Sequence, residues 1–111
     1  MCRALKVLCV AEDADGLVAL KRALVSAEWE LVGGAVTEEE ALRQLHEDRP
    51  HVVIVFADVA GFVAAAREAF PAIRIVADRE LPGVTVVVAS VGEARAAVLG
   101  RVGPGGPVLG G

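Results

Sequence analysis

Short apolar runs alternate with stretches of helical period from one end of the chain to the other. Ala4 to Ala11 is apolar apart from Lys6, and Pro50-His51-Val52-Val53-Ile54-Val55-Phe56 places four consecutive β-branched residues behind a proline. Runs without polar alternation are strands covered on both faces, as a parallel sheet flanked by helices requires. The second run is the centre of the predicted sheet. Leu17, Leu20, Leu24 and Ala27 follow helical spacing with Lys21 and Arg22 turned to water, and predict a first helix ending near Ala27, with an Asp of the preceding acidic loop as its cap. Trp29, Leu31 and Val32 alternate with Glu28 and Glu30, the pattern of an edge or half-exposed strand, which Gly33-Gly34 closes. Thr37 and Glu40 have the form of a capping box, and Ala41, Leu42 and Leu45 supply the stripe of a second helix ending before Pro50.

Val59, Phe62, Val63, Ala66 and Phe70 predict a third helix, capped by Asp58 and stopped by Pro71. Ile73 to Ala77 and Val84 to Ala89 are the fourth and fifth strands, and Glu93 to Leu99 a last helix. Only Asp78 to Gly83 and an end residue separate the last two strands, whereas a crossover through a helix needs about a dozen residues or more. A bare loop carrying the chain into a parallel fifth strand is favoured, with an antiparallel hairpin as the alternative. The expected architecture is a three-layer α/β/α sandwich around a parallel five-stranded sheet, its fourth helix reduced or missing.

Composition narrows the chemistry. The chain of 111 residues has room for one domain and one core, expected over residues 1–102, with the Gly/Pro-rich residues 103–111 as a flexible tail or truncated linker. A net charge of −4, with Lys6 and Lys21 the only lysines, argues against a nucleic-acid surface. Cys9 falls inside a strand and is expected as a small buried hydrophobe; with Cys2 as its only companion it makes no disulfide or metal framework. No secretion signal or membrane-length apolar run is present, so the cytoplasm is the expected compartment. Glu38-Glu39-Glu40 is a helix start, and His46 and His51 are solvated or capping residues. No nucleophile–base pair, phosphate-cradling glycine loop or P-loop points to an enzyme.

The chain resembles the receiver domain of response regulators over nearly all its length. The resemblance is carried by Val7-Leu8-Cys9-Val10 followed by acids, by Trp29 to Leu42 with its Gly33-Gly34 turn, and by Arg49-Pro50-His51-Val52-Val53-Ile54-Val55. It implies a flavodoxin-like fold. It also implies five groups for phosphoryl transfer, and most positions hold something else. Phe56 stands where the family keeps its phosphoacceptor Asp, and Ala11 and Glu12, with Asp13 as a stand-in, occupy the place of the Mg²⁺-binding pair. Ala77, Asp78 and Arg79 offer no hydroxyl, and the lysine position falls near Ala89 or Ser90. The chain is thus similar to pseudo-receivers, and no metal or other cofactor is expected.

Asp58, two residues beyond Phe56, is the position from which a shifted carboxylate could still act with Glu12 and Asp13. Two functions follow from the resemblance. One is a non-phosphorylatable module that binds a protein partner or its own twin, as a possible homodimer, through Leu81, Val84 and Val91, and regulates an attached or separate output domain. The other is a sensor that admits a small effector to the degenerate pocket lined by Ala11, Phe56 and Ala77.

Overall fold

A computed structural model describes residues 5–98 of the chain. The elements run β1 (Leu5–Ala11), α1 (Ala14–Leu24), β2 (Trp29–Ala35), α2 (Glu38–Asp48), β3 (Val52–Phe56), α3 (Ala60–Ala69), β4 (Arg74–Ala77), β5 (Val86–Val87) and α4 (Val91–Val98). The strands form one parallel sheet in the order β2-β1-β3-β4-β5, so β3 is central and β2 and β5 are the edges. This is the flavodoxin-like α/β/α sandwich. The expected boundary at residue 102 and the tail over 103–111 lie outside the described residues.

The pleat divides the core into two halves. Leu8, Val10, Val53, Val55, Ile75 and Ala77 face α2 and α3, meeting Ala41, Leu45, Phe62, Val63 and Ala66. Val7, Cys9, Val52, Ile54 and Val76 face α1 and α4, meeting Leu20, Leu24, Ala94, Ala97 and Val98. Val53, Ile54 and Val55 are completely buried because both faces of β3 are covered, which is why the run needs no polar alternation.

Several boundaries differ from the sequence expectation, each for a local reason. Helix α1 stops at Leu24, three residues early, because Val25 is extended and the Arg95 guanidinium binds the carbonyls of Ala23 and Val25 at 3.0 and 2.8 Å. The same Arg95 sits 5.3 Å over the Trp29 ring, whose Nε1 donates to Leu24 O at 2.7 Å. Strand β2 runs through the two glycines instead of closing at them, with a register shift opposite Val7 and Leu8. Asp58 does not cap α3: Val59 holds the cap position without a side-chain bond, and Glu38 from α2 reaches the Phe62 amide at 3.4 Å. The expected capping box at α2 forms in part, with Thr37 Oγ1 accepting from Glu40 N at 3.2 Å while Glu40 reaches back to Val36 N.

Strand β5 is parallel and is reached by a bare connection of eight residues, Asp78 to Thr85. Its ladder covers two residues where Val84 to Ala89 was expected. Thr85 and Val88 extend the pairing by single bonds to Ile75 O and Ala77 O, both 2.8 Å. Within the connection Val84 N donates to Leu81 O at 3.1 Å and Gly83 has φ +99°, so Leu81-Pro82-Gly83-Val84 is a type II turn with its glycine where φ must be positive. Arg67 of α3 pins this segment. Its guanidinium donates to Gly83 O, to Thr85 Oγ1 and to the carbonyls of Pro71 and Ile73, at 2.6 to 3.1 Å.

Candidate functional site

In an open parallel sheet the strands end on one side, and the groups that follow them converge there. Here a cleft of about 300 Å³ lies at that edge, lined by Ala11 at the end of β1, Glu12, Asp13, Gly16 and Leu20 on the way into α1, Phe56 at the end of β3, Asp78 and Arg79 after β4, and Val91 at the start of α4. Ala11 pairs with Phe56 across the sheet. The even-numbered residues of β3 face α1 and α4, so the half-buried Phe56 ring packs on that half of the core and forms the apolar wall of the cleft.

The charged groups of this edge are largely engaged with one another. Asp13 caps α1, its Oδ1 accepting from Gly16 N at 2.7 Å. Arg79 Nε and Nη2 donate to Asp78 Oδ1 and Oδ2 at 2.9 and 3.2 Å, and Nη2 also reaches Glu12 Oε2 at 3.5 Å. The bond to Asp78, opposed by desolvation and reinforced by the charges of Asp78, Glu12 and Asp58, raises the Arg79 pKa above its ordinary value. The side chains of Arg79 and Glu12 are 36% and 63% exposed, so this contact contributes about 0–1 kcal/mol and sets the charge of the edge without supporting the fold.

Ala11, Glu12, Asp13 and Phe56 therefore share one cleft. Asp58 is exposed and does not line it, Ala77 is fully buried beneath it on the α2–α3 side, and Ala89 is exposed after β5. Leu81 and Val84 pack together against the α2–α3 half of the core, whereas Val91 belongs to the other half and lines the sheet-edge cleft. Arg79, two positions beyond β4, is the residue that sequence reasoning misses, because there it registers only as a missing hydroxyl. The adjacent Asp78-Arg79 pair was visible in the sequence, but the approach of Glu12, 67 residues away, was not.

The receiver fold implies Mg²⁺, which takes several oxygen ligands in near-octahedral geometry. The donors do not fit that need. Asp13 Oδ1 is spent on the helix cap, Glu12 faces a guanidinium, the β3 terminus supplies a ring, and no group of three His, Cys, Asp or Glu able to hold a metal occurs among the described residues.

No protein-family model matches the sequence, and no curated protein matches it. Solved structures do share its fold. The signal receiver domain of NarL from Mycobacterium tuberculosis superposes with a TM-score of 0.71 at 20% identity, over 87% of this chain and 94% of that one. The response regulator domain of Thermotoga maritima CheB gives 0.65 at 17% identity over 78% of each chain. The isolated REC domain of RcsB from Salmonella enterica serovar Typhimurium, in the presence of the phosphomimetic BeF3⁻, gives 0.58 at 15% identity over 87% of this chain and 70% of that one. The chain has the fold of receiver domains. No helix among the described residues is long and apolar enough to cross a membrane.

Proposed function

We propose that this chain is a receiver-fold signalling module that works by protein–protein contact and not by phosphoryl transfer. The observation that carries the reading is the Phe56 ring at the end of β3, beside Ala11. In-line attack on a phosphoryl donor needs a carboxylate there, and an aromatic ring has no lone pair to offer. The Arg79 guanidinium, held by Asp78 and Glu12, supports the same reading because it supplies a fixed positive charge to acids that would otherwise attract a divalent ion. With no general base or nucleophile assigned, the module does no chemistry of its own and passes a signal to a separate or attached output domain in the cytoplasm.

Amide NMR with beryllofluoride and Mg²⁺ tests this. The expected result is no saturable shift at Glu12, Phe56 or Asp58; Mg²⁺-dependent, saturable shifts at those three would overturn it. A second reading, a small-molecule sensor, is favoured by the cleft itself, whose Phe56, Leu20 and Val91 walls suit an apolar or aromatic effector of modest size. Thermal stabilisation by one compound, with no change in assembly, would select the sensor.

A further inference from the structure

The direct connection from β4 to β5 has a consequence on the opposite face. Val86 and Val88 point to the α1–α4 half of the core, so the pleat turns Val87 to the layer of α2 and α3. Helix α3 covers β3 and β4 there, but none of the described elements covers β5, and Val87 is 44% exposed among the described residues. A second cleft, of about 410 Å³, opens at this place between Val87 and the turn, lined by Glu80, Leu81, Pro82 and Val84. The strand faces of a parallel sheet are ordinarily covered by crossover helices, and eight residues containing Pro82-Gly83 are too few to supply one. Arg67 further ties Gly83 and Thr85 down, so the connection cannot rise to fill the gap without breaking those bonds.

We propose that the uncovered face of β5 takes an amphipathic helix of a partner protein, its apolar stripe flanked by lysine or arginine, seated where the fold has no crossover helix of its own. This rests on the reading of the chain as a binding module. A helix is the occupant because it completes the α2–α3 layer, and it meets Leu81, Val84 and Val87 with side chains at i, i+3, i+4 spacing. The charge of its flanks follows from the rim. Arg67 is spent on carbonyls and a hydroxyl, Arg79 on Asp78 and Glu12, and Glu80 has no ion pair among the described residues. The free charge beside the cleft is negative, on a chain whose net charge is −4.

The test uses the whole chain and three synthetic helical peptides of equal length: leucines in one stripe with lysine flanks, the same stripe with glutamate flanks, and the lysine peptide with its leucines dispersed. The expected result is saturable amide shifts at Leu81, Val84 and Val87 with the first peptide only. Val87→Asp should weaken that binding at least tenfold, and Glu80→Lys should weaken it several-fold and admit the glutamate-flanked peptide. Should Val87→Asp lower the melting temperature, the exposed Glu80→Lys still decides the outcome. Shifts confined to other surfaces, equal binding of the dispersed peptide, or no binding would overturn the proposal. So would self-association in sedimentation that Val87→Asp abolishes, since a second copy would then be the occupant. Beryllofluoride and Mg²⁺ added to the same sample report separately at Glu12 and Phe56, so failure of the functional reading is distinguished from failure at β5.

Discussion

Single residues explain how two helices come close to an edge strand. A Cβ on Gly34 would lie 2.9 Å from Leu17 Cδ2 and 3.0 Å from Cδ1, and one on Gly33 would run into Gln44 Oε1 on the opposite face. The glycines are therefore the contact surfaces of α1 and α2 on β2, which is why the strand continues through Gly33-Gly34 and does not close at them. Gly34→Ala should destabilise the domain by roughly 1–3 kcal/mol, because a branched side chain must move as a whole. Gly33→Ala should cost about 1 kcal/mol, since the end of Gln44 can swing away at the loss of its 2.8 Å bond to Gly34 O. Urea melts check both, and a Leu17→Ala background should remove most of the Gly34→Ala penalty.

Among the elements, the connection from β4 to β5 departs furthest from the expected α/β repeat, and Arg67 is what stabilises it. A two-residue strand at a sheet edge holds few ladder bonds of its own, so the four acceptors gathered by one guanidinium matter in proportion. Arg67→Ala should lower stability by roughly 2 kcal/mol, allowing for rehydration of the exposed carbonyls. Hydrogen exchange should quicken at Thr85 and Val88 while α1 keeps its protection. Arg67→Lys should restore little, because an ammonium lacks the planar fork that spans Gly83, Thr85, Pro71 and Ile73 together. The short connection was legible from residue counts, which favoured a parallel fifth strand but left a hairpin open; the pairing of β5 with β4 decided its direction. The arginine was not legible, since its acceptors are mainly backbone carbonyls brought together by the turn.

At the scale of the whole molecule, Cys9 reports on global opening. It lies in β1 between β2 and β3, and burial pushes its thiol up from 9.0 to about 12, opposed weakly by Lys21. The folded state therefore holds its proton more tightly than the unfolded chain. That contribution to stability is complete below pH 9 and is lost as pH rises from there toward about 12, at a slope of at most about 1.4 kcal/mol per pH unit. Denaturant midpoints should be indifferent to this thiol below pH 8 and should fall above pH 9, a fall that Cys9→Ala reduces. Thiol-reagent labelling of Cys9 near neutral pH should be slowed, relative to a free thiol, by the opening equilibrium of the domain.

The order of elements, the central place of β3, the burial of its apolar run and the presence of Phe56 where that strand ends were all decided by the sequence alone. Each depends on local periodicity or on a count along the chain. Tertiary structure decided which of the named residues meet. It brought Phe56 to Ala11, Glu12 and Asp13 and sent Asp58, Ala77 and Ala89 elsewhere; it divided Leu81 and Val84 from Val91, and set Arg79 among the acids. The reason is that a pleat turns successive residues to opposite faces, and that the path of a loop sets the direction of every side chain on it. Spacing along the chain carries the alternation, but which layer each face meets and where a loop turns are set only when distant elements pack together.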